Sequence, residues 1–310
     1  DRVELGELGH AADEEVRVTQ KLARALPDKA DGWIAVGRSW VVKSRTASDP
    51  GFFLNVDRCV ETALAVTPGA PSALELRALS LMNDHRFDEA RDLAEQITAR
   101  EPESPVAFGT LSDALWELGR FEDAAAAAQR MMDLKPSVAS YARAGFFRWV
   151  QGDVAGAKSL MKQALMAGRD AKNPEATAWT FVQAAHVYWH EADYEGADAV
   201  YAEALRWQSD YPAALVGRAR CAMARGKPAD AVPMLEKALA TQPLPETAWL
   251  LADARELAGD APGALAARRR VVEEGKKTDR LGLALYWATR GEHTDEALAL
   301  LAEERKHRGG

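Results

Sequence analysis

Apolar positions along the chain follow a helical rhythm. Phe108, Leu111, Ser112 and Leu115 mark one face of a first segment, and Ala124, Ala128 and Met131 mark one face of the next. Both stripes have the 3.6-residue period of an amphipathic helix. A second, longer period lies over the first. Small residues recur in acidic-to-small contexts at Ala90, Ala124, Ala157, Ala197, Ala231, Ala264 and Ala297, at intervals of 34, 33, 40, 34, 33 and 33 residues. Val56 stands 34 residues before Ala90 and extends this ladder one step back. Five residues before the ladder position, a glycine stands in several copies, namely Gly51, Gly119, Gly152, Gly226 and Gly259. A helix must stop there, and glycine enters the left-handed conformation most cheaply. Prolines close many of the second segments, at Pro68, Pro102, Pro136 and Pro243. Each copy therefore reads as a helix, a tight turn, a second helix and a proline-marked exit. A fixed period of this length is the signature of a solenoid.

The residues resemble the tetratricopeptide repeat (TPR) family over about residues 28 to 308. Trp33, Val36, Gly37 and Trp40 match the family's Trp-x-x-Leu-Gly-x-x-Tyr opening, and Ala124, Ala128 and Pro136 match its small-residue and terminal-proline columns. A small column before the turn reads Gly37, Ala78, Ser112, Gly145, Ala185, Ala219 and Ala252, as required where facing helices touch. The resemblance implies an all-α, right-handed superhelix of about eight helix pairs, with the first helices lining the inner wall. Residues 1–27 are expected to form an N-terminal capping helix and residues 28–310 the TPR solenoid, with insertions near 43–50 and 170–175. No terminal proline follows Leu165 or Val271, so those junctions are expected to be irregular.

Composition narrows the functional classes. Of 310 residues, 47% are hydrophobic and 28% charged, which suits a large buried core rather than disorder. The net charge of −8 argues against phosphate neutralisation along a nucleic acid. The longest uncharged run, Ala176 to His190, has fifteen residues, short of the roughly 20 apolar residues that span a bilayer. Cys59 and Cys221 form no metal-type spacing, lie far apart in the expected fold and read as small packed hydrophobes. The chain begins at Asp1 with no initiator Met and no basic-then-apolar leader, so it is expected to be a mature product or an excised piece. The compartment stays open between cytoplasmic and exported or periplasmic.

The chemistry-bearing patterns are sparse. P-loop, dinucleotide, nucleophile-elbow, zincin and EF-hand motifs lack their minimal residues, so no catalysis and no cofactor are expected. Carboxylate pairs such as Glu101/Glu103 and Glu303/Glu304 read as solvated helix ends. His186 and His190 share one helix face at i,i+4 spacing but have no third ligand fixed by spacing, so no metal is expected. Arg268, Arg269, Arg270, Lys276, Lys277 and Arg280 form a basic cluster, either a solvated surface or a patch for an acidic partner. The lysine–asparagine–arginine carboxylate clamp and the asparagine ladder of other family members are both missing.

The first helices carry a second apolar face. Counted back from the ladder residue, positions 15, 11 and 8 lie about 90 to 150° from the packing stripe and read Ala142, Phe146, Trp149 and then Val182, His186, Trp189. The column eight places upstream runs Met82, Trp116, Trp149, Trp189 and Met223. Two readings are open: the rings pack against a neighbouring helix or the insertion near Asp170, or they line a groove. The second reading predicts a non-catalytic scaffold that holds an apolar or proline-rich protein segment. Its concave wall would include Trp116, Phe146, Trp149, Val182, His186, Trp189, Arg220 and Met223, with Arg220, Asp113 and His186 orienting the segment. Self-association in a larger assembly and a ligand- or metal-sensing domain are the alternatives.

Overall fold

The computed structural model describes residues 7–47, 49–168 and 174–308. Among the described residues the chain is helical, with one short 3-10 segment at Pro50–Phe52 and no strand. It divides into two compact units, residues 1–136 and 137–310.

The first unit holds α1 (Glu7–Ala25), α2 (Ala30–Ala47), α3 (Phe53–Val66), α4 (Pro71–Asn83), α5 (Phe87–Arg100), α6 (Pro105–Glu117) and α7 (Phe121–Leu134). The second holds α8 (Val138–Val150), α9 (Val154–Ala167), α10 (Pro174–His190), α11 (Tyr194–Trp207), α12 (Pro212–Ala224) and α13 (Pro228–Thr241). It continues with α14 (Pro245–Leu257), α15 (Ala261–Thr278), α16 (Arg280–Arg290) and α17 (Thr294–Arg308). After α1, consecutive helices pair as hairpins. Within each unit a hairpin's second helix packs against the first helix of the next.

Every second helix begins three residues before its ladder position, and every ladder residue from Val56 to Ala297 is no more than 2% exposed. These residues are small because the first helix of the same hairpin lies directly on them. The Ser112 hydroxyl donates to the Ala124 carbonyl at 2.8 Å, and a Cβ on Gly145 would meet the Met161 methyl at 3.0 Å and the Ala157 carbonyl at 3.4 Å. The small column and the ladder are thus the two sides of one helix contact.

The turn residue five before the ladder is left-handed in six hairpins. Gly119, Gly152, Gly226 and Gly259 have φ between 73° and 84°, while His85 and Ala192 hold the same place at 58° and 60°. Gly51 departs from the expectation. It lies in the 3-10 segment, where its amide donates to Asp49 Oδ1 at 2.8 Å, and its φ is not positive. Asp49 and Pro50, brought in by the insertion, replace the left-handed turn with a side-chain-capped one.

Five of the second helices start in one of two ways: α9, α11 and α15 carry an aspartate cap, and α5 and α7 an arginine in its place. In the second unit Asp153, Asp193 and Asp260 accept the amides of Gly156, Gly196 and Gly263, each at 2.9 Å. A Cβ on any of these glycines would collide with the capping carboxylate. In the first unit Arg86 and Arg120 hold the cap position and pair instead with Glu89 and Asp123 three residues on.

Part of each insertion is helix. α2 runs to Ala47, and its Lys43, only 2% exposed, pairs with Asp13 of α1 at 2.7 Å. Residue 48 and residues 170–173 lie outside the described residues, but α10 has 17 residues where α8 and α12 have 13. The extra turn is anchored by Thr177, whose hydroxyl donates to the Gly168 carbonyl at 2.6 Å. Of the two junctions without a proline, α9 stops at the usual 14 residues, and only α15 runs on, to 18. Cys59 and Cys221 are free and buried, and burial pushes each thiol up to about 11.

Candidate functional site

The first helices α8 and α10 present a crevice floored by α9. On α8 the packing face of Ala144, Gly145 and Phe147 is buried, and this leaves Phe146 and Trp149 half-buried on the adjacent face. On α10 Phe181, Ala184 and Ala185 face the core, while Gln183, His186, Val187 and His190 turn towards the crevice. Met161 of α9, 4% exposed, closes the bottom. These seven residues line a cavity of about 100 Å³.

Rings set its walls. Trp149 lies between Phe146, at 6.0 Å, and His190, at 4.5 Å with planes tilted by 35°. His186 meets the Tyr201 ring edge-on at 5.9 Å. Burial, reinforced by His190 and by the Arg220 guanidinium, pushes His186 down to about 4. Its imidazole is therefore neutral near pH 7, one nitrogen a donor and the other an acceptor. The two imidazoles have gone to different rings, and among the described residues no group of three His, Cys, Asp or Glu side chains is placed to hold a metal ion.

The remaining wall positions divide. Trp116 lies in the first unit and packs on Phe121 at 4.8 Å; Trp189 packs on Tyr194 at 4.9 Å. Each ring thus covers the first residue of its own hairpin's second helix. Val182 is 2% exposed and belongs to the core around Tyr201. Met223 is half-buried against the core of α13 to α16, and Arg220 pairs with Glu246. Met161, Gln183 and Val187 escaped the sequence reading. Met161 is on a second helix, four residues after its ladder alanine, and Val187 falls outside the columns that mark the wall. The basic cluster is spread by its own contacts: Arg268 pairs with Glu256, Arg270 donates to the Leu239 carbonyl at 3.1 Å, and Arg280 pairs with Glu303 at 2.9 Å.

Helix hairpins stacked on a ladder of small residues, with an aromatic crevice on the first helices, define an α-solenoid of the helical-repeat class. Within that class its repeats are similar to tetratricopeptide repeats. Tetratricopeptide repeat models match residues 75–139 and 188–254. Cellulose synthase operon protein C of Pseudomonas fluorescens (strain SBW25) is 29% identical over 190 residues, 57% of this chain. The aligned stretch is 14% of that relative's length, so the chain spans a small part of it.

Solved structures share the fold at low identity. The human IFIT1 dimer with m7Gppp-AAAA aligns with a TM-score of 0.67 at 15% identity, over 96% of this chain and 73% of that one. The Cut9–Hcn1 hetero-tetramer of the APC/C gives 0.63 at 18% identity, over 78% and 46%. PilW, a type IV pilus biogenesis factor, gives 0.58 at 16%, over 71% and 100%. Tetratricopeptide repeats point to a protein-interaction scaffold, a family role that is typically non-catalytic. No helix among the described residues is long and apolar enough to cross a membrane.

Proposed function

We propose that the chain is a non-catalytic scaffold whose first-helix wall grips an apolar or proline-rich segment of a protein partner, with the anchor seated between α8 and α10. The observation that carries this reading is the pair of half-buried rings Phe146 and Trp149, met by the exposed His190, above Met161. At about 100 Å³ the cavity is smaller than the roughly 300–1,000 Å³ of small-molecule pockets and suits one anchoring side chain. A neutral His186 and the Gln183 amide supply polar groups for the segment's backbone without placing a charge in the crevice. Trp116 and Trp189, already paired with Phe121 and Tyr194, act as supports of their own hairpins in this reading.

An array of synthetic apolar and proline-rich peptides, read by fluorescence polarisation, tests it. Peptides bound by the parent should lose about tenfold or more in affinity on Trp149→Ala, as for a truncated anchor contact, with helicity retained by circular dichroism. Unchanged binding in Trp149→Ala and in Met161→Ala would place the groove elsewhere.

A further inference from the structure

The chain is acidic, with a net charge of −8, yet the helices around the crevice are not. α8 carries Arg143 and Arg148 and no acid; α12 carries Arg218 and Arg220 and no acid; α10 carries two histidines and the single acid Glu175. Glu175 is engaged, accepting from the Tyr211 hydroxyl at 3.3 Å. The next first helix, α14, reverses the balance with Glu246, Asp253 and Glu256 against Arg255. The first helices that flank the crevice therefore carry more basic than acidic residues, and Arg220 is the one that holds a wall position.

Arg220 is the member of this set that neighbours the crevice. Gly217 lies so close to the Tyr201 ring that a Cβ there would overlap it, and Arg220 stands three residues on along the same face of α12. His186 meets the same Tyr201 ring from α10 at 5.9 Å. His186 and Arg220 hold equivalent positions, eleven residues before Ala197 and Ala231, in consecutive hairpins whose first helices touch. The partner of Arg220 is Glu246, and the two side chains are 40% and 65% exposed. Such a solvated pair is worth little and exchanges readily for another carboxylate. Arg148 and Arg218, by contrast, pair with Asp153, the cap of α9, and with Asp198 of α11.

We infer that the wall takes an extended acidic segment of a protein partner, its apolar anchor in the crevice and a carboxylate on Arg220 in place of Glu246. This rests on the crevice reading above and adds the charge of the partner. Neighbouring helices lie roughly 8–10 Å apart, and an extended chain advances about 3.3 Å per residue. The acid therefore stands about three residues from the anchor.

Three fluorescein-labelled synthetic peptides separate the parts. The first carries a leucine–proline anchor followed by aspartates at the third and fourth positions. The second replaces the aspartates with asparagines, and the third keeps them and replaces the anchor with serines. The first should bind the parent about tenfold more tightly than the second at low salt, with the gap shrinking as salt screens the charge. Arg220→Gln should close the gap, and Glu246→Gln should tighten the acidic peptide alone. Equal binding of the first two peptides, both lost in Trp149→Ala, overturns the acidic preference and leaves the crevice reading standing. Equal binding of the first and third peptides overturns the crevice reading. Failure of every peptide to bind at millimolar concentration overturns both.

Discussion

Hairpins α8–α9 and α10–α11 are built on one plan and use it differently. Both have a fully buried ladder alanine, an Asp-x-x-Gly cap and a tryptophan eight residues before the ladder. In α10–α11 the second helix opens with Tyr194, and Trp189 stacks on it. In α8–α9 it opens with Val154, which has no ring to offer, and Trp149 turns to Phe146 and His190. The first arrangement locks a hairpin shut, and the second leaves an aromatic wall facing a cavity. One side chain three residues before the ladder thus separates the two equivalent tryptophans into support and surface.

The largest expected effect is a pH response that belongs to α10 alone. His186 sits at about 4 in the fold and at 6.5 when unfolded. Above pH 6.5 both states are neutral and the full stability is present; as pH falls towards 4 the unfolded chain takes up the proton first and stability is lost. At about 1.4 kcal/mol per unit, the loss reaches about 3 kcal/mol by pH 4. Chemical denaturation of the parent and His186→Gln across this window should show that difference, and parallel profiles would refute it. His190, Arg220 and Tyr201 are the groups that face the imidazole, and all remain in the variant.

Ladder substitutions should treat the two hairpins alike. Ala157→Leu and Ala197→Leu each force side-chain bulk into a helix contact and should cost about 1–3 kcal/mol by overpacking. A much smaller cost in one hairpin would show that its helices are not locked together there.

Exchanging the deciding residue probes the comparison directly. Tyr194→Val removes the partner of Trp189 and should cost about 1–2 kcal/mol, from the ring pair and lost burial. Val154→Tyr should draw Trp149 towards α9 and weaken peptides that use the crevice, with little loss of thermal stability. Unaltered peptide affinity would show that Trp149 does not shape the site.

The smallest effects lie at the turn. Gly152 and Ala192 occupy the same left-handed position, at φ 83° and 60°. An L side chain pays about 1 kcal/mol there, so Gly152→Ala should lower and Ala192→Gly raise stability by up to about that amount in thermal melts. Shifts of the same sign would mean that the turn conformation is not what limits them.

Much of this architecture is legible in the residues themselves. The ladder, the small column, the turn glycines and the exit prolines each occupy a fixed place in the repeat, and the helices follow them closely. The wall columns also placed Phe146, Trp149 and His186 together. The same columns made Trp149 and Trp189 look equivalent, since a column records where a side chain leaves its helix and not what it meets. Glycine at the third position of the Asp-capped helices carried a readable signal as well: the aspartate's oxygens occupy the space of a Cβ.

What the sequence by itself determined is local: helix starts and stops, left-handed turns and caps, set by groups within about five positions of one another, and the small residues of each hairpin, which meet about twelve positions apart. Tertiary structure alone decided that Trp149 lies against His190, forty-one residues away, that Met161 floors the gap and that Val182 is sealed in the core. The physical reason is that exposure is a property of neighbours. A ring has the same amphipathic phase in every copy of the repeat, but its burial depends on the volume and shape brought against it by the next hairpin.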